Sequence, residues 1–143
     1  MSKIVLCDID GTVANNEHRQ HLLRNYKDWD KFFSKLSEDS PIFPIIEMIN
    51  QRFRDGMEIY FVTGRPERYR TETMSWLEKY FKYDFLLIMR KDNDVRNKLA
   101  IKKEMLRSIE KENEVIEVYE NDLDLIEMWE KLEIKTININ KFI

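Results

Sequence analysis

Ile4-Val5-Leu6-Cys7-Asp8-Ile9-Asp10-Gly11-Thr12-Val13-Ala14 is the stretch on which the reading of this chain turns. The apolar run from Ile4 to Cys7 reads as a short buried strand. Two carboxylates follow at a spacing of two, then a glycine. If extended geometry persists, period-2 alternation puts Asp8 and Asp10 on one side. Like charges that close repel, so a cation belongs between them. A hard divalent ion held by carboxylate oxygens fits, and Mg²⁺ is the common choice beside phosphate. Gly11 lets the backbone turn away at once. An Asp-Gly pair after a strand is also an ordinary polar turn, and on Asp8 to Gly11 alone both readings stand.

The length, 143 residues, suits one domain with a full core. Only three glycines and three prolines occur, which leaves no long flexible linker. No apolar stretch approaches the roughly 18 residues of a membrane span, and Ile4 to Cys7 is too short for a signal-peptide core. The single cysteine, Cys7, excludes an internal disulfide and points to a reducing, cytoplasmic setting. Cys7 itself reads as core filling. A net charge of −3 provides no global basic field, which argues against tight duplex binding. It leaves room for gripping one strand end through a local patch.

Beyond the first strand, the pattern alternates strand and helix. Asn15 to Ser40 is a polar and aromatic insertion, with helices expected around Glu17 to Arg24 and Trp29 to Leu36. Its aromatics Tyr26, Trp29, Phe32 and Phe33 need burial, and the helical spacing of Trp29, Phe32 and Phe33 favours packing over base stacking. Ser40-Pro41 reads as an N-cap followed by proline at the first helical position. Ile42, Ile45, Ile46, Ile49 and Phe53 continue that helix, and Gly56 ends it. Met57 to Val62 is the second strand, stopping at Thr63-Gly64-Arg65, with Pro66 opening the next helix. Asp84 to Met89, Val115 to Tyr119 and Ile134 to Ile139 are three further strands, separated by helices. This alternation implies a parallel five-stranded sheet covered on both faces.

In open α/β sheets, ligands lie beyond the carboxyl ends of the strands. The first strand ends in Asp8 and Asp10, the second in Thr63, Gly64 and Arg65, the fourth in Glu120 and Asn121. The third leads to the basic stretch Arg96, Lys98, Lys102 and Lys103. Acids, a hydroxyl, a glycine and cations therefore gather at one edge. An aspartate can attack phosphorus to form an aspartyl-phosphate, and a second can move protons. A threonine hydroxyl and backbone N–H groups can hold phosphate oxygens that a lysine neutralises.

These residues resemble the motifs of the haloacid dehalogenase (HAD) superfamily. The resemblance implies Asp8 as nucleophile, Asp10 as acid/base, Thr63 as phosphate-binding hydroxyl, Lys102 as the motif III lysine and Glu120 as metal ligand. Within the superfamily the chain is similar, over nearly its whole length, to the 3′-phosphatase domain of polynucleotide kinase/phosphatases. The marks are Asp8 to Ala14, His18-Arg19, Asp28 to Phe33, Phe61 to Arg70, Asp94-Val95-Arg96 and Glu127-Met128-Trp129. The resemblance places Arg19 and Arg65 near the substrate phosphate, and Asp8, Asp10 and Glu120 around Mg²⁺. Two positions depart from the pattern. Lys98 stands where relatives usually carry Asp, and Glu120-Asn121-Asp122 stands for Asp-Asp-Arg or Glu-Asp-Arg. No P-loop pattern occurs in the 143 residues.

The expectation is a single α/β, Rossmann-like HAD domain over 1–143, with a small cap inserted at about 15–40. It predicts a Mg²⁺-dependent phosphomonoesterase with Asp8 and Asp10 as catalytic residues and Arg19, Thr63, Gly64, Arg65 and Lys102 on the substrate phosphate. Asn121 is expected behind the metal ligands. The expected substrate is a phosphorylated nucleotide or single-stranded nucleic-acid end, with a 3′-phosphate preferred. A phosphatase of free nucleotides or small metabolites is the enzyme rival. A weakly active phosphate-binding scaffold is the rival from another class.

Overall fold

Every residue from Ile4 to Cys7 is fully buried, and the strand they form, β1 (Ser2–Cys7), lies in the middle of a five-stranded sheet. The computed structural model describes residues 1–23 and 28–143. The other strands are β4 (Glu58–Pro66), β5 (Leu86–Arg90), β6 (Asn113–Glu120) and β7 (Thr136–Asn138), in the order β5-β4-β1-β6-β7. All pairings in this sheet are parallel, with Cys7 in register with Phe61 on one side and Tyr119 on the other.

Alternation along β1 divides the core in two. Val5 and Cys7 face α3 (Phe43–Arg54) and α4 (Arg70–Tyr80), packing with Ile45, Ile49, Trp76 and Leu77. Ile4 and Leu6 face α5 (Lys98–Glu110) and α6 (Leu123–Lys131), packing with Ile101, Met105, Leu125 and Trp129. A strand with apolar side chains on both faces can only sit under helices on both sides, which is why the run reads without polar alternation. Truncating Leu6 to alanine would cost about 2–5 kcal/mol at such a site. The sheet and its two helical layers are those expected from the sequence.

Several element boundaries differ from the expectation: β5 starts at Leu86 and not at Asp84, and β7 is confined to Thr136–Asn138 within the expected 134–139. Ser40–Pro41 is not a helix start but a short strand, β3, antiparallel to β2 (Ala14–Asn15). Ile42 N–H then donates to Val13 O at 2.8 Å, so the chain stays tied to the first loop until Phe43. The proline in the first turn of α3 is Pro44. Likewise β4 does not stop at Thr63 but runs to Pro66, with an irregular register before Pro66 meets Arg90. Proline disfavours helical backbone in the residue before it, here Arg65, and as expected helical structure opens directly after Pro66, first as a 3₁₀ turn (Glu67–Tyr69) that runs into α4 at Arg70. Gly56 behaves as expected: at φ +84° it follows α3, and Met57 N–H closes back on Arg52 O at 3.0 Å.

Between β2 and β3 lie α1 (Glu17–Gln20), a 3₁₀ turn (His21–Leu23), α2 (Trp29–Ser34) and a second 3₁₀ turn (Leu36–Glu38). The first expected helix thus tightens after Gln20, and the Arg24 end of it and Tyr26 lie outside the described residues. Phe32, Phe33 and Leu36 form a separate small core with Leu22, Leu23 and Tyr69. Trp29 stacks on Phe33 with ring centroids 5.9 Å apart.

Candidate active site

Asp8 stands at the end of the central strand, its N–H donating to Tyr119 O at 3.0 Å. The following loop folds tightly: the N–H groups of Val13 and Ala14 both reach Ile9 O at 3.0 Å. Gly11 closes this loop at φ +81°, and a Cβ there would run into the Asn121 amide. Backbone conformation and contact both require glycine here. Thr12 hydroxyl lies between Asp8 Oδ2 at 3.0 Å and Asn121 Oδ1 at 3.3 Å.

The other Asp8 oxygen, Oδ1, accepts from Lys102 Nζ at 2.8 Å. Lys102 comes from α5 and lies 3.6 Å from Glu120 Oε1. Glu120, at the end of β6, is fully buried; Trp129 Nε1 donates to Oε1 at 3.3 Å and Asn121 N–H to Oε2 at 3.1 Å. One lysine thus serves two buried carboxylates. Burial, then the Glu120 charge, push the Asp8 carboxyl up to about 8, against the pull of Lys102. Burial would lower Lys102, but the charges of Asp8 and Glu120 outweigh it and raise its pKa. Next door, burial and the Asp8 charge raise the Cys7 thiol well above its usual value, so it is core filling, as expected.

Asp10 belongs to a different cluster. Its Oδ1 accepts from Arg19 Nη2 at 2.7 Å and Arg65 Nη2 at 2.9 Å, and its Oδ2 from Arg65 Nε at 3.1 Å. Burial would raise this carboxyl, yet Arg65 and then Arg19 hold it below its ordinary value. Behind both arginines sits Asp39, which accepts from Arg19 Nε and Nη2 at 2.8 Å each and from Arg65 Nη2 at 3.2 Å. His18 Nε2 approaches the same carboxylate at 2.6 Å, and Trp76 Nε1 donates to Asp39 O at 2.8 Å. Arg65 also reaches Thr73 Oγ1, and the Arg19 guanidinium lies 4.3 Å above the Phe32 ring centroid.

A cleft of about 190 Å³ opens over the strand ends. Asp8, Asp10, Gly64, Lys102, Glu120 and Asn121 line it, as expected. Three expected phosphate ligands do not. Arg19 and Arg65 are buried and turned onto Asp10 and Asp39, because a buried guanidinium needs carboxylates around it. Thr63, also buried, accepts the Arg65 N–H on its hydroxyl at 3.1 Å. Asp39 and Arg90 are the residues that sequence reasoning missed. Asp39 sits in a polar run with nothing local to mark it, and Arg90 reads as one member of a charged loop.

The expected metal trio is not assembled either. Among the described residues no three His, Cys, Asp or Glu side chains form a group able to hold an ion. The Asp10 side chain is turned to its arginines, and Lys102 stands between Asp8 and Glu120. Donor type and charge nonetheless suit a hard cation. Asp8, Glu120, Asn121 and Asp122 all bring oxygens to one cleft. A divalent ion there would also offset the repulsion that raises Asp8.

The family model describing the phosphatase domain of polynucleotide kinase PNKP matches residues 2–142. The chain belongs to this family. It is a phosphomonoester hydrolase of the HAD type. A protein of Autographa californica nuclear polyhedrosis virus, named as a bifunctional polynucleotide kinase/RNA ligase, is 28% identical over 139 residues. That match covers 94% of this chain and 19% of the viral protein. A chain in the structure of a Pnkp1/Rnl/Hen1 complex is 27% identical with a TM-score of 0.80, over 97% of this chain and 45% of that one. The chain therefore spans less than half of these relatives. The class C acid phosphatase of Bacillus anthracis with tungstate bound is 19% identical, with a TM-score of 0.63 over 84% of this chain and 52% of its own. That likeness bears on the fold alone. No helix among the described residues is long and apolar enough to cross a membrane.

Proposed function

We propose that this PNKP-type domain, a single unit with residues 15–40 as a small cap, removes terminal phosphates from nucleic-acid strand ends. Asp8 is the nucleophile, and a 3′-phosphate is the preferred leaving site. The observation that carries the reading is the position of Asp8: it lines the cleft directly after the central strand, paired with Lys102 at 2.8 Å. A reducing, cytoplasmic setting suits the single buried thiol.

In the first half-reaction an Asp8 oxygen bonds to phosphorus as the bond to the substrate oxygen breaks, and Asp10, once released from its arginines and protonated from solvent, gives that oxygen the proton. In the second, Asp10 takes a proton from water, which attacks the aspartyl-phosphate and frees Asp8 and inorganic phosphate. Lys102 holds negative charge beside Asp8 throughout. Gly64, open on the cleft, leaves its backbone accessible to phosphate oxygens. Asp8, Glu120 and Asn121 are the groups that would hold Mg²⁺, which would lower the Asp8 pKa and neutralise charge on the transferring oxygens. Arg19 and Arg65 act through Asp10, keeping it ionised and ready to accept a proton. Its donating role requires release from that clamp.

A second reading, a phosphatase of small phosphorylated metabolites, draws support from the cations expected to reach further along a strand. Arg68, Arg70, Arg96 and Lys98 each pair with a carboxylate, on Asp30, Glu67, Asp94 and Asp122 respectively. A panel of 3′- and 5′-phosphorylated mononucleotides and oligonucleotides, assayed with Mg²⁺ and with chelator, separates the two. The strand-end reading expects 3′-phosphorylated oligonucleotides to give the highest kcat/KM and chelator to silence turnover. A preference for 5′-phosphates, or no gain with length, overturns it.

A further inference from the structure

Three cations line the cleft: Lys102, Lys98 and Arg90. Lys102 is committed to Asp8, and Lys98 to Asp122 at 2.6 Å and Asp124 at 3.2 Å. Arg90 pairs with no carboxylate among the described residues. Its Nε donates to Gly64 O at 3.0 Å, and its Nη1 to Asp94 O at 3.0 Å and Arg96 O at 2.8 Å. These are neutral acceptors, and Nη2 makes no hydrogen bond among the described residues. The side chain is half-buried, so the charge is partly stripped of water, while the nearest carboxylate that acts on it, Asp94, is bound to Arg96 and not to Arg90. Taking a cation out of water is costly unless an anion meets it. Arg19, Arg65, Arg68, Arg70 and Arg96, which do not line the cleft, all have carboxylate partners.

Position decides which anion. Arg90 ends β5, two strands from β1, and folds back over Gly64 at the end of β4. The strand it covers, β4, is the direct neighbour of β1, with about one strand spacing, roughly 4.8 Å, between their backbones. The reacting phosphate at Asp8 already has Lys102. An anion at Arg90 lies beside that phosphate, at the edge of the cleft away from β6. The three backbone carbonyls fix the guanidinium plane and leave Nη2 to donate outward, a geometry suited to a phosphate oxygen.

We propose that Arg90 is the recognition site for a second phosphate, the phosphodiester adjoining the terminal phosphate of a nucleic-acid strand. This rests on the strand-end reading, and the residue would distinguish a polynucleotide end from a lone phosphomonoester.

Binding, not turnover, tests it. In an Asp8→Asn background, a short 3′-phosphorylated oligonucleotide and inorganic phosphate are titrated with and without Arg90→Gln, across a range of salt. Arg90→Gln is expected to weaken the oligonucleotide about tenfold, as removal of a charged hydrogen bond does. The slope of log K against log salt should flatten by about 0.7, the share of a single neutralised phosphate. Inorganic phosphate affinity should stay within about twofold, the spread expected of a substitution that leaves its binding groups untouched. Arg90→Lys keeps the charge and should keep the slope, which covers the case where Arg90→Gln fails to fold. Equal losses for both ligands would place Arg90 on the reacting phosphate and overturn the proposal, as would no loss for either. Absence of turnover by the unmutated chain would sink the strand-end reading while leaving this binding result to stand or fall alone.

Discussion

Asp8 and Asp10 are two residues apart and end in opposite electrostatic states. Asp8 shares one lysine with a second buried acid, Glu120, and its carboxyl is pushed up to about 8. Asp10 meets two guanidiniums and is held below its ordinary value. Exposure does not explain the contrast by itself, since burial disfavours the charged form of both. The ratio of cations to acids in each cluster does. The Asp8 cluster is built from strand ends and α5. The Asp10 cluster bridges the strand ends and the inserted segment through Arg19 and Asp39. A site that needs one carboxylate to attack and another to exchange protons benefits from environments that can be set separately.

The sharpest break is Asp8→Asn. If the Asp8 cluster is the reaction centre, turnover should fall by roughly 10⁴-fold or more, as when a nucleophile is removed, with the fold intact by circular dichroism. Activity near that of the unmutated chain would move the nucleophile elsewhere.

Asp10→Asn should cost about 10²–10⁴-fold on an alkyl phosphate, the usual share of general acid–base catalysis. An aryl phosphate, whose leaving oxygen needs little help, should lose less. Equal losses on the two substrates would assign Asp10 to positioning alone. The substitution also leaves Arg19 and Arg65 with Asp39 as their one anionic partner among the described residues, so melting is measured alongside.

Asp39→Asn probes the clamp from behind. Breaking a buried ion pair on one side costs about 3–5 kcal/mol, read by urea unfolding. With Asp39 neutral, both arginines press on Asp10 alone, so the acidic limb of the pH–rate profile should move further down in pH. An unmoved profile with lowered stability would make Asp39 a purely structural residue.

The smallest effect distinguishes the clusters by their pH dependence in metal-free protein. A carboxyl whose folded pKa is raised binds protons in the folded state that it has lost in the unfolded one. Stability therefore falls as pH rises from the ordinary carboxylate range to about 8. Asp10, held low, contributes stability above its unfolded pKa that is lost as pH falls through its folded one. In thermal melts, Asp8→Asn should flatten the decline toward pH 8 and leave the acid limb as it was. Mg²⁺ should flatten the same decline. A pH 8 decline that persists in Asp8→Asn would assign it to another group.

Much of this was legible along the chain. Ile4 to Cys7 announced a strand covered on both faces because every position is apolar, and apolar residues on both sides of a pleat admit no other environment. Gly56 ended its helix as glycine at that position does. The strand ends gathered Asp8, Gly64 and Glu120 because parallel strands all deliver their carboxyl ends to one edge, and helix α5, which follows β5, brought Lys102 to the same edge. Ser40-Pro41 misled because a serine–proline pair suits a helix start and a short edge strand equally. Pairing with Ala14 and Asn15, more than twenty residues away, chose between them.

By itself, then, the amino-acid order determined the sheet, its helical cover and the edge where the chemistry collects, since these follow from periodicity and local backbone preference. The tertiary structure alone decided the partners of each charge. Arg19 and Arg65 have the chemistry of phosphate ligands, yet Asp39, brought in from the inserted segment, turns them inward onto Asp10. Arg90, undistinguished among its charged neighbours, lines the cleft without an ion-pair contact to a carboxylate among the described residues. Coulomb interactions act through space and not along the chain, so which cation stays unpaired is settled only when distant segments meet.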